Sequence, residues 1–351
     1  MKTKTKRFGI LTAGGDAPGL NPAIRGICKA AQLEYDMEII GIQDGFAGLV
    51  EGRGELMRPS DFSGIIHQGG TILGTSRERP FKDEEKIKQL IYHYNNWELD
   101  CLVCLGGNGT QKRANLVRKL GLNVIHLPKT IDNDVYGTDM SFGFHTALEA
   151  ATDAVDRLHT TAASHKRILI AEIMGNSAGW LALYSGIAGG ADVIIIPEIP
   201  YDINKIKEHL DEREMSGSKF SVIAVAEGAK ALFDKDLNKK ELKKKYEGQP
   251  SAAFRLAAEL KALGDYDTRV SVLGYVQRGG APVAYDRVLA TQMGTKAAEL
   301  MAKGDYGNMV ALKGMDIVAV PLENVAGKTK VVPDDHLSIK SAKLAGTTFG
   351  D

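Results

Sequence analysis

Two polar motifs follow two short apolar runs in the first half of the chain, and their spacing limits the possible folds more than any other feature. The run at 101–105 ends in GGNGT (106–110), and the run at 123–127 ends in PKTIDND (128–134). The stretch between them has a helical pattern. This order predicts a strand, helix, strand unit with a right-handed crossover. Both motifs would then lie at the carboxyl ends of adjacent strands, where open parallel sheets bind ligands.

The residue types in these motifs are typical of phosphoryl transfer. Glycines allow the backbone to approach an anion closely, and amides at the start of the following helix can bind phosphate oxygens. Lys129 adds a cation, while Asp132 and Asp134 add carboxylates, one of which could accept the proton of a hydroxyl group. Taken alone, GGNGT could equally be a turn without a ligand. Two acids that flank an asparagine at a strand end are a sharper indication of a site.

A further glycine-rich turn follows the first predicted strand, at 8–11. Its sequence, TAGGDAPGLN (12–21), has the form of a phosphate loop. It is neither a Walker A sequence nor a GxGxxG dinucleotide fingerprint. On its own, this turn is as compatible with a simple reversal of the chain as with a nucleotide site.

Charge and cysteine content exclude several other functions. The 44 basic and 44 acidic residues cancel, so neither nucleic acid nor a membrane surface is expected as a partner. No apolar run is long enough to span a membrane, and MKTKTKR leads into a strand without a signal-peptide core, which favours a cytoplasmic location. Cys101 and Cys104 are spaced CxxC but lie within a predicted buried strand, so we interpret them as core thiols.

Longer segments of the chain resemble the phosphofructokinase family. GGNGT and LPKTIDND carry the resemblance, together with GILTAGGDAPGLNPAIRG (9–26) and GYVQRGGAPVAYDR (274–287). The resemblance implies an α/β protein with two doubly wound Rossmann-like domains, the phosphofructokinase fold. It implies discontinuous domains: a larger phosphate-donor domain at 1–143 plus about 277–315, and a smaller sugar-phosphate domain and tail at 144–276 plus about 316–351.

The activity implied by this resemblance is that of a glycolytic 6-phosphofructokinase, which transfers the γ-phosphoryl group of ATP to the 1-hydroxyl of fructose 6-phosphate with Mg²⁺. Asp132 matches the family's catalytic base, Thr130 matches a residue that orients the substrate, and Arg77 matches the arginine that neutralises the transferred phosphoryl group. Asn108 and Asp134 match positions associated with the metal.

The resemblance also suggests which residues bind the phosphoryl donor: Gly15, Arg77, Gly107, Asn108, Gly109, Thr110 and Lys129. Pyrophosphate-using relatives carry an acid at the position of Gly109 and a lysine at that of Lys129, whereas ATP-using bacterial relatives carry glycine at both. The chain therefore has a mixed donor signature. We expect ATP, because a missing side chain at 109 leaves room for a nucleotide, and pyrophosphate is the alternative.

The residues suggested for sugar-phosphate binding are Thr130, Asp132, Asp134, Arg167, Met174, Gly175, Asn176, Glu227, Arg269, Tyr275 and Arg278. In the family, the arginines that match Arg167 and Arg269 serve the site of a neighbouring subunit, so self-association is expected. A single strand from Arg269 to Arg278 would separate these two arginines by about 30 Å at a rise of ~3.3 Å per residue. They could not then bind one phosphate within one subunit.

Three positions depart from the family pattern. Asn108 replaces an aspartate, Asn176 replaces an arginine, and Tyr275 replaces a histidine that faces the sugar phosphate. These changes leave open a kinase for another sugar phosphate, or a sugar-phosphate or nucleotide sensor without catalysis. Lipid and dinucleotide kinases also carry a GGDGT-like loop, but they do not explain PKTIDND and QRGG together.

Overall fold

The computed structural model describes residues 3–249 and 251–351. The strands are β1 (Arg7–Ala13), β2 (Glu38–Ile42), β3 (Gly54–Leu56), β4 (Cys101–Gly106), β5 (Val124–Pro128), β6 (Ile168–Ile173), β7 (Val193–Ile195), β8 (Ser221–Ala226), β9 (Thr268–Val272), β10 (Asn308–Lys313) and β11 (Asp316–Pro321). The helices are α1 (Leu20–Tyr35), α2 (Phe46–Glu51), α3 (Glu84–Asn96), α4 (Asn108–Lys119), α5 (Phe144–His165), α6 (Trp180–Ala188), α7 (Ile203–Met215), α8 (Lys239–Lys245), α9 (Ala252–Leu263), α10 (Ala284–Lys303), α11 (Leu322–Val325) and α12 (Leu337–Leu344).

The first compact unit contains residues 1–146 and 278–330 and is built on a seven-stranded sheet. The strand order is β11-β10-β5-β4-β1-β2-β3, with parallel pairing except at the two edge strands β3 and β11. The chain leaves β1 towards one edge and β4 towards the other. The boundary between β1 and β4 is therefore the point where a doubly wound sheet binds its ligand.

Apolar residues cover both faces of this sheet because successive side chains of a strand point to opposite sides. In β4, Cys101, Val103 and Leu105 pack with α1 and α10, whereas Leu102 and Cys104 pack with α2, α3 and α4. Burial of each large aliphatic side chain contributes about 1.5–3 kcal/mol. Cys101 and Cys104 are free, buried and on opposite faces, which confirms that they are core thiols.

The second compact unit contains residues 147–277 and 331–351. Its four-stranded sheet has the order β7-β8-β6-β9 and is parallel throughout. Helices α7 and α9 pack on its core, and α6 contacts β7 and β8. The predicted α/β fold is confirmed. Among the residues described, no helix has the length and apolar content needed to cross a membrane.

Two predictions about segments were wrong. The tail from 316 was expected in the second domain, but residues 316–330 belong to the first unit because β11 pairs with β10 along its whole length. The strand expected from Arg269 to Arg278 ends at Val272, and a 3-10 helix follows at Gly274–Arg278. The separation of about 30 Å therefore does not apply, since it assumed extended chain throughout.

Candidate active site

The carboxyl ends of three neighbouring strands in the first unit are level with one another. Ala13 at the end of β1 lies beside Gly106 at the end of β4, which lies beside Pro128 at the end of β5. The three loops that the sequence singled out therefore emerge side by side. This alignment places TAGGDAPGLN, GGNGT and PKTIDND at one edge of the sheet, as expected for the binding crevice of an α/β protein.

Three hydrogen bonds to backbone carbonyls fix the arrangement of these loops. Lys129 N donates to the carbonyl of Gly106 over 3.0 Å, and the Lys129 ammonium donates to the carbonyl of Gly15. The hydroxyl of Thr110 is buried and donates to the carbonyl of Ala13 over 3.3 Å. Thr110 therefore joins the GGNGT turn to β1, a contact that the donor-binding prediction did not include.

Two arginines adjoin the glycine loop after β1. Arg278 Nη1 donates to the carbonyl of Asp16 over 2.9 Å and would lie 2.9 Å from a Cβ atom at Gly15. A side chain at position 15 would therefore displace this guanidinium from the loop. Gly14 N donates to the carbonyl of Ser76 over 3.0 Å, so the exposed Arg77 follows a residue bonded to the same loop. The structure therefore places Arg278, which was predicted to bind the acceptor, at the candidate donor loop.

PKTIDND forms a turn in which two ionisable side chains have strongly shifted pKa values. Burial, followed by the charge of Arg278, lowers the pKa of Lys129 to about 8, although Asp132, Asp16 and Asp134 oppose the shift. Burial, followed by the charge of Asp132, raises the pKa of Asp134 to about 7. Such shifted values in a crevice are typical of functional groups. Thr130 Oγ1 accepts a hydrogen bond from Asp132 N over 3.1 Å, which orients the hydroxyl beside the carboxylate.

The residues predicted to bind a metal fit a hard cation. Asn108 Nδ2 donates to the carbonyl of Asp134 over 3.1 Å, whereas its buried Oδ1 atom accepts no hydrogen bond from any residue in the described ranges. An oxygen without a donor beside a buried carboxylate matches the ligands that Mg²⁺ prefers. Within 3–249 and 251–351, no group of three or more His, Cys, Asp or Glu side chains converges on a metal position. Mg²⁺ at this site would need further oxygens from water and phosphates.

In the second unit, the loop after β6 and the residue after β8 form a second cluster of predicted residues. The Glu227 carboxylate accepts hydrogen bonds from Gly175 N over 3.3 Å and from Asn176 N over 2.7 Å. Met174 N donates to Gln277 Oε1 over 3.3 Å. A cavity of about 620 Å³ continues from this loop, and it is bordered by Asn176, Glu198, Glu227, Lys230, Arg255 and Asp334.

Arg167 and Arg269 lie together in the second unit, bridged by a carboxylate that the sequence did not reveal. Arg167 Nε donates to Asp267 Oδ2 over 2.5 Å, and Arg269 donates to the other oxygen of the same carboxylate. The hydrogen bond from Arg167 is the main cause that holds the pKa of Asp267 below its ordinary value. The two guanidinium groups are partly exposed and could receive one phosphate. Tyr275 is 78% exposed.

Sequence reasoning missed three residues of the first unit. Asp16 contributes a charge near Lys129, and Asn133 adopts a left-handed conformation between the two carboxylates. Lys330 reaches the same turn from a distant segment. Asp16 lies in a motif that had already been singled out. Lys330 lies in the segment GKTKVVP (327–333), in which no local pattern marks it as part of a site.

Comparisons with known proteins agree with this geometry. The sequence profile of a family described as Phosphofructokinase matches residues 7–301. A relative from Spirochaeta thermophila, named ATP-dependent 6-phosphofructokinase, is 54% identical and is matched over 99% of this chain and 98% of its own. A relative from Bacteroides thetaiotaomicron, named ATP-dependent 6-phosphofructokinase 3, is 49% identical over 98% and 100% of the two chains. A solved structure of phosphofructokinase from Saccharomyces cerevisiae is 31% identical, with a TM-score of 0.80, over 92% of this chain and 45% of its own.

Proposed function

Because the chain belongs to the phosphofructokinase family, we propose that it transfers the γ-phosphoryl group of ATP to the 1-hydroxyl of fructose 6-phosphate. The observation that carries this proposal is the level alignment of Ala13, Gly106 and Pro128, which brings an anion-binding loop next to two carboxylates. Phosphoryl transfer requires this combination, because the donor must be held in line with a hydroxyl that faces a base.

The donor would lie along the loop after β1 and the start of α4. Lys129 and Arg278 supply positive charge at this loop, and Arg77 follows a residue bonded to it. At Gly109, an added Cβ atom would meet Arg113 Nη1 at 3.6 Å, an ordinary contact, and, apart from its chain neighbours, no other side chain in 3–249 or 251–351 within 4 Å, so a nucleotide has room there. Open space at 109 favours a nucleotide, since a bulky or acidic side chain would crowd and repel its phosphates.

Asp132 is proposed to accept the proton of the acceptor hydroxyl. Thr130 Oγ1 already accepts from the Asp132 backbone, so its hydroxyl hydrogen remains available to the acceptor. Arg77 would reduce the charge that develops on the transferred group. Asn108 Oδ1 and the Asp134 carboxylate would hold Mg²⁺, which when bound neutralises phosphate charge.

The acceptor would be bound by the second unit. Glu227 has lone pairs for sugar hydroxyls beyond its bonds to Gly175 and Asn176, and the Met174 loop is fixed beside it. Arg167 and Arg269 are proposed to bind the phosphate of the acceptor in a neighbouring subunit. Self-association, a role for Tyr275 and a cytoplasmic location remain predictions from the family resemblance.

Pyrophosphate is a second candidate donor, and Lys129 is the specific observation in its favour. Its ammonium is buried against the glycine loop, where it would neutralise a small, highly charged donor. The experiment measures fructose 6-phosphate phosphorylation with Mg²⁺ and either ATP or pyrophosphate. Turnover with ATP alone supports the proposal, pyrophosphate alone would show that Lys129 determines the donor, and turnover with neither would reject both candidates.

The base assignment needs a separate test. Asp132→Ala is expected to lower kcat by at least about 10³-fold, since general base catalysis and local electrostatics both depend on this carboxylate. Binding of the sugar phosphate, measured by calorimetry, should survive in the variant. Turnover equal to that of the unmodified protein would reject Asp132 as the base.

A further inference from the structure

We propose that Lys330 is a positioning residue for this reaction, whose ammonium group holds the turn that carries Asp132 and Asp134. The inference rests on the proposed function, because it deepens the account of the same site. Lys330 lies beyond residues 7–301, the segment matched by the family profile. It is also separated from the turn by almost 200 positions, so only the fold brings the two together.

Three hydrogen bonds connect the ammonium to the loop that follows β5. Lys330 Nζ donates to Asn133 Oδ1 over 2.9 Å, to the carbonyl of Thr138 over 3.1 Å and to the carbonyl of Asp139 over 2.8 Å. An ammonium has three N–H donors and no acceptor, so each of these three oxygens can accept a different N–H. The contact therefore draws both ends of the loop at 133–139 towards one nitrogen atom.

Asn133 is the residue through which the ammonium acts on the turn. Its φ angle is 50°, in the left-handed region that asparagine adopts more readily than most residues other than glycine, and it separates the two carboxylates by one position. Asn133 Oδ1 accepts from Lys330 Nζ and also from Ser141 N over 3.1 Å. These two donors fix the Asn133 side chain, and through it the directions in which Asp132 and Asp134 leave the turn.

The backbone of the same segment reaches Asp134 independently of the side chain. Lys330 N donates to the carbonyl of Asp134 over 2.8 Å, and Thr329 forms an isolated antiparallel bridge with Val135. A substitution at 330 leaves these bonds in place. Its effect would therefore report the ammonium group alone rather than the docking of the whole segment.

Charge acts in the same direction as geometry. Asp139 and Asp134 place negative charge near the ammonium, and Lys313 places positive charge there. A cation at this position attracts the Asp134 carboxylate and offsets part of the repulsion that Asp132 exerts on it. Lys330 would thus maintain both the separation and the orientation of the carboxylates while touching neither the donor nor the acceptor.

The test compares Lys330→Met with Lys313→Met in the full chain. Lys313 Nζ contacts the Asp139 carboxylate over 3.0 Å and is half exposed, so its removal deletes a cation near the loop without affecting Asn133. Lys330→Met is expected to lower kcat by about tenfold or more, because small misplacements of reacting groups are costly. The KM for fructose 6-phosphate should stay within about threefold, since Lys330 contacts no substrate. Lys313→Met should leave both constants unchanged.

Hydrogen–deuterium exchange supplies a readout that does not depend on turnover. Peptides that span 130–141 should exchange faster in Lys330→Met than in the unmodified protein, without Mg²⁺ or substrates, while the other peptides of the first unit keep their rates. Lys330→Arg keeps the positive charge but spreads its N–H donors over three nitrogen atoms. We expect its kcat to fall less, and its exchange at 130–141 to rise less, than in Lys330→Met.

The outcomes separate the two proposals. If the unmodified protein phosphorylates no sugar phosphate, the proposed function fails, and the exchange rates still decide whether Lys330 holds the turn. Unchanged exchange at 130–141 in both Lys330 variants would overturn the positioning role. A loss of activity that appears in KM rather than in kcat would also overturn it.

Discussion

The ammonium group of Lys129 donates a hydrogen bond to the backbone carbonyl of Gly15, and so joins the first residue after β5 to the glycine loop after β1. Burial and then the charge of Arg278 lower the pKa of Lys129 to about 8, although Asp132 and Asp16 oppose this shift. The same lysine can therefore fix the loop and present positive charge to a phosphoryl donor.

Lys129→Met should raise the KM for the donor by about tenfold, because a buried charge-assisted contact is worth ~1.5–3 kcal/mol. In the unmodified protein, the pKa of about 8 means that the positive charge is present below pH 8 and is lost as the pH rises further. The value of kcat/KM for the donor should therefore fall between pH 7.5 and 9 and level off about tenfold lower, where the neutral lysine no longer attracts the donor. A pH profile of kcat/KM for both proteins tests this, and a decline of equal size in Lys129→Met would contradict it.

Gly109→Asp should change the choice of donor without unfolding the protein. Among the described residues, and apart from its chain neighbours and the backbone of α4 itself, a new Cβ atom would meet Arg113 Nη1 alone, at an ordinary contact distance of 3.6 Å. We expect the KM for ATP to rise by about tenfold or more, since a carboxylate there would repel nucleotide phosphates. Gly109→Ala is the matched control, because it adds the same Cβ atom without charge. Equal effects of the two substitutions on the KM for ATP would contradict an electrostatic role.

Asp134→Asn should stabilise the protein at alkaline pH while it weakens Mg²⁺-dependent turnover. Burial and the charge of Asp132 raise the pKa of this carboxyl from 3.8 to about 7 in the folded state. The stability associated with the protonated form is complete below pH 4 and is lost as the pH rises through 7. At pH 8 the variant should unfold with a free energy about 4 kcal/mol higher than that of the unmodified protein, because the rise in pKa from 3.8 to about 7 costs ~1.4 kcal/mol per unit.

Thermal unfolding at pH 5 and pH 8, without Mg²⁺, measures this difference. The gain in Tm should be several degrees at pH 8 and smaller at pH 5, where the carboxyl of the unmodified protein is largely protonated. If the difference in Tm between Asp134→Asn and the unmodified protein is the same at pH 5 and pH 8, then ionisation of Asp134 does not destabilise the fold. The Asp139→Asn variant serves as the control, because the pKa of Asp139 is lowered rather than raised.

Mixing an inactive variant with a weakly binding one tests whether arginines cross between subunits. Asp132→Asn should abolish transfer in its own site, and Arg269→Gln should raise the KM for the sugar phosphate by about tenfold, as expected for a lost charged hydrogen bond. If Arg269 serves the neighbouring site, hybrids formed by joint refolding contain sites with both residues intact. Activity above the sum of the two separate preparations is expected, and its absence would place Arg269 in the site of its own subunit.

The strand-end motifs and the order of the elements could be predicted from the sequence, because each depends on local signals. Apolar runs closed by glycine or proline located β1, β4 and β5 to within two residues at either end. The end of β9 could not be predicted in this way. VSVLGYV reads as one apolar run, but Gly274 takes a positive φ of 53° and a 3-10 helix begins there.

Contacts between residues that are far apart in the sequence could not be predicted either. Asp267 bridges Arg167 and Arg269 across 100 positions, and Lys330 joins Asn133 across 197. No periodicity or spacing connects such residues, since only the folded chain brings them together. The predicted role of Arg278 was based on family resemblance, and its bond to the carbonyl of Asp16 depends on the same long-range folding.

The discontinuity of the first unit has a consequence for synthesis on the ribosome. The turn at 128–134 emerges early, yet its neighbouring strand β10 and Lys330 are translated only near the end of the 351-residue chain. Domains fold as their segments leave the ribosome, in order from the N-terminus. A nascent chain that stops before 308 therefore lacks both the strand beside β5 and the ammonium that holds the turn. We therefore expect a chain interrupted at that point to be inactive, because neither support of the active-site turn has yet been made.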